Sequence, residues 1–96
     1  MIDFDKMIQN EEMADVILFL VSRSEKGIAY PSIDRFFGIH NAAEKYKSYN
    51  IELIHQLKKL EDTQQVSSTN VYGSGCQKGP DWKEPAFVTE KKYGIE

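Results

Sequence analysis

The sequence predicts a small α+β domain in which three helices precede a two-stranded hairpin with a long loop rich in glycine and proline. Two observations predict helices: a wide apolar face at residues 13–21 and a second one at residues 51–60. A third observation predicts the hairpin: two short extended segments, 66–72 and 86–89, flank a stretch of glycines and prolines. The helices therefore come first and the hairpin last.

Length and composition agree with a single folded domain over residues 1–96. A chain of 96 residues buries roughly two thirds of its unfolded surface, which suffices for one core. Hydrophobic residues make up 41% and charged residues 28% of the chain, as in ordinary globular proteins. Within this domain we distinguish an acidic segment at 1–10, a helical part at 11–62 and the hairpin at 66–93.

Neither a membrane span nor a secretory signal is predicted. The longest apolar run, 16–21, is far shorter than the roughly twenty residues that a membrane span needs. The first residues are acidic and lack the basic stretch followed by an apolar one that marks a secretory signal. We therefore expect a cytoplasmic protein with no membrane partner.

The first helix is predicted from about Glu11 to Ser24. Asn10 suits the N-cap position, and Glu11 and Glu12 follow where carboxylates interact favourably with the positive end of a helix. Periodicity alone also fits a buried strand, because apolar residues fill the positions between the helical ones. The capped start and the length favour the helix.

Pro31 and Gly38 bound the second predicted helix. Proline suits the first helical turn and glycine a left-handed ending, so Ser32–Phe37 is predicted to be a short helix after an extended link at 28–30. Asn41 then begins a capping box that opens the third helix. This third helix extends over 42–62, either continuously or with a break at 48–50.

One apolar face is predicted for the second half of the third helix. Ile51, Ile54, Leu57 and Leu60 follow one another at steps of three residues, and Leu53 lies four positions before Leu57. We expect Leu53, Leu57 and Leu60 to share one core with residues of the first two helices. These residues are Val16, Ile17, Leu20, Phe36 and Phe37.

A loop of about a dozen residues separates the two predicted strands, and loops of this length are often functional or mobile. Trp82 in this loop is predicted either to anchor a partner or to pin the loop to the core. Cys76 is the only cysteine of the chain, so no internal disulfide is possible. A free thiol at the surface is expected.

Charge is distributed unevenly along the chain, whose net charge is −3. The first twenty residues hold five carboxylates and one lysine, a net charge of −4, and the remainder is nearly neutral. A domain that binds nucleic acid unaided usually carries a basic stripe, and this sequence shows no strong one. The acidic segment is instead predicted to steer association with a basic partner.

The second half of the chain resembles the ending of a winged helix-turn-helix domain. Leu53–Leu60 is followed by Glu61 and, after a polar link, by Val66, while Phe87–Tyr93 is similar to the Leu-Thr-Glu-Lys-Gly ending of a second wing strand. In the order of its elements, 13–93 resembles such domains in bacterial regulators of the multiple-antibiotic-resistance and phenolic-acid repressor families.

This resemblance implies a small winged-helix-like domain that binds duplex DNA. Its recognition helix would lie within 42–62 and its wing at 73–86. The side chains available there for phosphates and bases are Lys45, Lys47, Tyr49, Lys58, Lys59, Lys78 and Lys83. Carboxylates alternate with these lysines, and the helix lacks arginine, the commonest reader of guanine. A solvated face of mixed charge therefore fits the pattern equally well.

No catalytic, cofactor or metal site is predicted. His40 and His55 are the only histidines, and their separation provides no metal-binding pair. Adjacent carboxylates such as Glu11 and Glu12 point apart on a helix, unlike a working acid–base pair. We expect a protein that is not an enzyme and needs no cofactor.

Protein binding is predicted in preference to DNA binding, because the isoelectric point of the chain is about 5.4. A protein-binding module of this kind is exemplified by an immunity or inhibitor protein that caps a basic partner such as a nuclease toxin. Carboxylates would steer the partner and aromatic side chains would anchor it. The residues predicted to bind it are Asp3, Asp5, Glu11, Glu12, Asp15, Tyr72, Trp82 and Tyr93.

Overall fold

The computed structural model describes residues 1–40, 49–69 and 74–95, which form helices and one antiparallel sheet. In chain order the elements are α1 (Phe4–Asn10), α2 (Met13–Ser22), β1 (Ile28–Ala29), α3 (Tyr30–Ile39), α4 (Tyr49–Asp62), β2 (Val66–Thr69), β3 (Gly75–Lys78), α5 (Ala86–Thr89) and a final 3-10 turn (Lys92–Gly94). This mixture agrees with the predicted α+β class. The described residues contain five α-helices and three strands, however, where three helices and two strands were predicted.

The sheet has the strand order β1-β3-β2, with both neighbouring pairs antiparallel. Strand β2 runs into β3 as a hairpin, in which Val66 pairs with Lys78 at the base and Thr69 with Gly75 near the connecting loop. Strand β1 lies on the other side of β3. The two strands approach so closely that a Cβ atom at Gly75 would stand 2.5 Å from the Ile28 carbonyl oxygen. Glycine is therefore required at this position of the central strand.

One hydrophobic core joins α2 to the remaining elements. Helix α2 contacts α1, α4 and β3, which is why its apolar side chains are buried on nearly all sides. The buried apolar residues are Met7, Ile8, Met13, Val16, Ile17, Leu18, Phe19, Leu20, Val21, Ile33, Phe37, Leu53, Leu57, Leu60, Val66, Cys76 and Phe87. The predicted common core of the helices is confirmed, except that Phe36 packs against it while only half-buried.

The predicted start of the first long helix is wrong. Helix α2 begins at Met13, and Asn10 instead ends the preceding helix α1, where its side-chain amide donates to the Lys6 carbonyl oxygen. Helix α1 begins after Asp3, whose carboxylate accepts a hydrogen bond from the Lys6 backbone N–H at 3.0 Å. A helix this short is marginal by itself and depends on burial of Met7 and other side chains against the core.

The predicted second hairpin strand is also wrong. Residues 86–89 form helix α5, and the strand that pairs with β2 is β3, within the segment predicted to be a loop. Pro85 precedes α5, and Phe87 is buried with its ring centroid 5.7 Å from that of Phe19. Packing of one aromatic side chain thus outweighs the weak strand preference of Val88 and Thr89. The predicted extended link at 28–30 becomes β1 and the start of α3.

Helix α3 is confirmed, with Pro31 in its first turn. It continues past the predicted Ser32–Phe37 to Ile39, so Gly38 lies within the helix and the left-handed ending predicted there is wrong. The predicted capping box at Asn41 and the start of a helix at Ala42 lie outside the described residues. Helix α4 is described from Tyr49 to Asp62. The two alternatives predicted for 42–62, one continuous helix or a helix with a break, therefore both remain predictions, since they depend on residues outside the described part.

The apolar face predicted for α4 needs one correction. Leu53, Leu57 and Leu60 are buried, but Ile51 is 58% and Ile54 65% exposed. Successive residues of an α-helix are rotated by about 100°, which places Ile54 roughly 60° from Leu57 and Ile51 roughly 120° or more from each leucine of the stripe. The core covers only the leucines, and the isoleucines remain at the surface.

Candidate functional site

A groove of about 620 Å³ lies between α3 and α4 and is the strongest candidate for a functional site. We call it the α3–α4 groove. Helix α3 contributes Tyr30, Pro31 and Asp34 to its lining, and helix α4 contributes Asn50, Leu53, Ile54, Leu57, Lys58 and Glu61. Most of these side chains are apolar or aromatic, as is usual for pockets that bind ligands.

Exposed apolar surface borders this groove. Leu53 and Leu57 are buried, whereas Ile54 projects into solvent beside them. Ile51 lies one turn before Ile54 on the same side of α4 and is also exposed. Among the described residues, the other large apolar side chains that are exposed are Met1 and Ile39. Contiguous exposed apolar surface is a common feature of sites that bind other molecules.

The polar end of the groove is held by a hydrogen bond between the two helices. The Tyr30 hydroxyl donates to Glu61 Oε1 at 2.5 Å. Burial and this bond to the Glu61 carboxylate raise the pKa of Tyr30 to about 12, so the phenol stays protonated at neutral pH. Asp34 lies one turn after Tyr30 on α3 and lines the same groove. Within the described residues, neither Asp34 nor Glu61 forms an ion pair.

The structure divides the predicted acidic surface into two places. At one end of α1, Asp3 caps the helix and Asp5 Oδ1 lies 2.7 Å from His40 Nδ1. Between α1 and α2, Glu11 and Glu12 stand near Asp15, and burial together with these two carboxylates raises the Asp15 pKa. Several of the five carboxylates therefore already have partners within the chain.

Tyr93 is also engaged within the chain. Its hydroxyl donates to the Glu11 carboxylate, and burial and this hydrogen bond raise the Tyr93 pKa to about 12. The backbone carbonyl of Tyr93 accepts a hydrogen bond from the Asp3 N–H at 2.8 Å. These bonds tie the last turn of the described chain to α1, so Tyr93 has a structural role in addition to its predicted role as an anchor.

Trp82 is half-buried and fastens the segment after β3 to α2. Its indole Nε1 donates to the Leu18 carbonyl oxygen at 3.0 Å, and Lys78 Nζ lies 4.2 Å from the centroid of its ring. Trp82 was predicted either to anchor a partner or to pin the loop to the core, and these contacts agree with the second role. The third predicted aromatic anchor, Tyr72, lies outside the described residues.

The lysines predicted to bind DNA lie on separate segments of the described part. Lys58 and Lys59 are exposed on α4, whereas Lys78 lies at the base of the hairpin, opposite its loop. Lys83 follows the hairpin, exposed beside Trp82. The predicted wing at 73–86 is therefore wrong in position, because the hairpin loop lies between β2 and β3. Lys45, Lys47 and the Tyr49 side chain lie outside the described residues.

Cys76 is fully buried, which contradicts the expected surface thiol. It lies on the central strand β3, opposite Ile28 of β1 and Ser68 of β2. An unpaired cysteine behaves as a small hydrophobic side chain and is among the most frequently buried residue types. That preference could have indicated the burial of Cys76, had the strand been recognised from the sequence.

The Cys76 thiol is expected to be unreactive in the native protein. Burial, assisted by the Glu61 carboxylate, raises the pKa of Cys76 to about 11, and only the thiolate is nucleophilic. Ellman's reagent at pH 8 should therefore label the thiol quickly in denaturant and slowly in the native state. Rapid labelling of the native protein would contradict the burial.

The raised pKa of Cys76 also predicts that the folded protein is less stable at high pH. The unfolded thiol has a pKa near 9 and the folded one near 11, so the folded state keeps the proton more tightly. The stability that Cys76 contributes is present below pH 9 and is lost as the pH rises toward 11. Denaturant unfolding at several pH values should show this decline, and Cys76→Ala should make it shallower.

Sequence reasoning missed the groove residues Tyr30, Pro31, Asp34, Ile54 and Glu61 as functional candidates. One signal for Ile54 was available, because Ile51 and Ile54 form a second apolar pair away from the stripe of leucines. The contact between Tyr30 and Glu61 joins residues 31 positions apart. No local pattern in the sequence indicates such a contact.

Within the part of the chain that the structure describes, no group of three or more histidine, cysteine or acidic side chains is arranged to hold a metal ion. None of the described helices is both long and apolar enough to cross a membrane. Comparisons of the chain with models of protein families, with curated proteins and with solved structures find no match.

Proposed function

We propose that this protein is a non-enzymatic protein-binding module whose α3–α4 groove holds an apolar segment of a partner protein. The observation that carries this proposal is the exposure of Ile54, 65%, at the edge of a groove floored by Leu53 and Leu57. Burying such a side chain against a partner contributes about 1.5–3 kcal/mol. The groove thus offers an apolar anchor point.

The charges of the groove favour a basic partner. Asp34 and Glu61 line it, Lys58 is the single cation among its described lining residues, and the whole chain carries a net charge of −3. Complementary charge accelerates encounter and excludes partners of the wrong sign. An inhibitor or immunity protein that caps a basic protein such as a nuclease toxin fits this description. In this proposal the groove replaces Trp82 and Tyr93 as the anchoring surface.

A selection with defined peptides tests the proposal. Peptides selected from a phage-displayed library on the intact protein should combine apolar and basic residues, and they should shift the NMR signals of groove amides. Ile54→Ser should weaken the best synthetic peptide by at least about tenfold, equivalent to 1.4 kcal/mol. Calorimetric titration measures this loss.

Ile39→Ser is the matched control for this variant. Ile39 is 61% exposed and lies outside the groove lining, so that its replacement changes surface apolarity equally without touching the site. Equal affinity of the Ile54→Ser variant and the wild type would overturn the proposal. An equal loss in both variants would attribute binding to general surface apolarity instead of the groove.

A winged-helix arrangement, and with it DNA binding, is the second candidate. From α2 onwards the described elements follow the order helix, strand, helix, helix and hairpin, with β1 beside β3. This order supports our proposal that α2 to β3 form a winged-helix-like unit with α4 in the recognition position. The exposed isoleucines of α4 favour a protein partner for this helix, because DNA offers charged phosphates and polar base edges.

Duplex DNA binding has its own test. If α4 bound DNA through Lys58 and Lys59, affinity would fall steeply with salt, and changing both lysines to alanine would lower the slope by about two. We expect fluorescence anisotropy with a mixed-sequence duplex to show neither effect. A steep slope that depends on both lysines would establish the DNA function and remove the protein-binding proposal for this face.

A further inference from the structure

We propose that the polar end of the α3–α4 groove recognises an arginine side chain of the partner, next to an apolar side chain that packs on Ile54. This inference rests on the proposed protein-binding function and specifies its ligand chemistry. The site comprises Tyr30, Asp34, Glu61 and Ile54, all of which line the groove.

Glu61 is held in an orientation that leaves part of its carboxylate available. Its Oε1 accepts the hydrogen bond from the Tyr30 hydroxyl at 2.5 Å. Among the described residues no group donates to Oε2, and no cationic nitrogen lies within ion-pair distance of either oxygen. A half-buried carboxylate in an apolar groove loses hydration, and a cation that enters the groove restores the lost interaction.

The second carboxylate comes from the opposite helix. Because the Tyr30–Glu61 bond joins the start of α3 to the end of α4, Asp34, one turn after Tyr30, stands along the same rim. Two carboxylates together with a tyrosine ring and Pro31 suit the planar guanidinium group, which donates to carboxylates in pairs and stacks on aromatic faces. A lysine ammonium lacks both properties.

Among the residues that the structure describes, Lys58 is the one cation in the groove lining. Its charge opposes an incoming arginine, although it forms no ion pair with Asp34 or Glu61. Replacing Lys58 with alanine should therefore increase the affinity for an arginine ligand. A phosphate-binding site would show the opposite response.

The spacing of the site sets the spacing of the ligand. Glu61 follows Ile54 by seven positions on α4, which is a separation of about 10 Å along the helix axis at 1.5 Å per residue. An extended peptide covers about 10 Å in three residues. An apolar residue and an arginine three positions apart therefore reach Ile54 and Glu61 together.

Short peptides of known composition test the inference on the intact protein. The probe is the acetylated and amidated tetrapeptide Leu-Ser-Ser-Arg, and its controls carry citrulline or lysine in place of arginine. NMR titration of the arginine peptide should shift the amide signals of Tyr30, Asp34, Leu57 and Glu61. Its dissociation constant should be about tenfold lower than that of the citrulline peptide, which keeps the shape and loses the charge.

Protein variants complete the test. Glu61→Gln keeps an acceptor for the Tyr30 hydroxyl and should weaken the arginine peptide by about tenfold, while Asp34→Asn should weaken it less. Asp62→Asn is the matched control, because Asp62 is the exposed neighbouring carboxylate outside the groove lining. Equal melting temperatures of the variants would show that folding is retained.

The outcomes separate the inference from the function on which it rests. Equal binding of the arginine and citrulline peptides in the groove would overturn arginine recognition and leave apolar docking intact. Equal binding of the lysine peptide would overturn the preference for guanidinium. Failure of all three peptides to shift any groove signal would overturn the inference, and the library selection would then decide the function independently.

Discussion

Replacing Leu60 with alanine is expected to lower the free energy of unfolding by about 2–5 kcal/mol, the usual loss for a buried leucine. Leu60 is 3% exposed and lies on the face of α4 that joins the core with α2. Truncation removes buried methyl groups and leaves a cavity that the neighbouring side chains refill only in part. Urea unfolding followed by circular dichroism measures the loss through the transition midpoint.

Ile54→Ala is the matched control on the same helix. Ile54 projects into solvent, so its truncation removes few contacts, and alanine has the higher helix propensity. The unfolding free energy of this variant should change by less than about 0.5 kcal/mol, as is usual for surface positions. A large loss for Ile54→Ala with a small loss for Leu60→Ala would mean that α4 presents the other face to the core.

Trp82→Ala is expected to have the second-largest effect, a loss of roughly 2–4 kcal/mol. This is somewhat below the loss for a fully buried aromatic residue, because Trp82 is half-buried. The variant loses the indole packing, the hydrogen bond to the Leu18 carbonyl oxygen and the contact with Lys78. In a chain of this size each kcal/mol shifts the melting temperature by about 4–8 °C, so thermal melting resolves the change.

Trp82→Phe separates the contributions to this loss. Phenylalanine keeps most of the ring contacts and lacks the N–H group that donates to Leu18. We expect it to retain most of the stability, with a loss of about 0.5–1.5 kcal/mol for the missing hydrogen bond. An unchanged melting temperature for Trp82→Ala would show that the indole contributes little to folding. Trp82 would then return as a candidate partner anchor.

Patterns that repeat over several turns predicted structure well. The leucine stripe of α4 and the apolar residues of α2 indicated two packed helices, and Pro31 indicated the start of α3. These signals are local, since a helix places residues three and four apart on one face whatever the rest of the chain does. Their success does not require knowledge of any distant contact.

The shortest elements were mispredicted or missed. Helix α5 has four residues and β1 has two, so that neither carries enough periodicity to be recognised. Each is stabilised by contacts with distant parts of the chain: Phe87 of α5 packs against Phe19, and β1 pairs with β3. Local preference is a weak guide where such contacts supply the stability.

The sequence by itself determined which side chains are apolar and which helical positions they occupy. It did not determine which apolar positions the core would cover, because Ile54 and Leu57 are similarly hydrophobic and only their rotation about α4 distinguishes them. That choice depends on how α2 packs against α4. The α3–α4 groove exists only because these two helices pack against each other, and the hydrogen bond between Tyr30 and Glu61 joins residues 31 positions apart. The tertiary structure alone therefore decides both features.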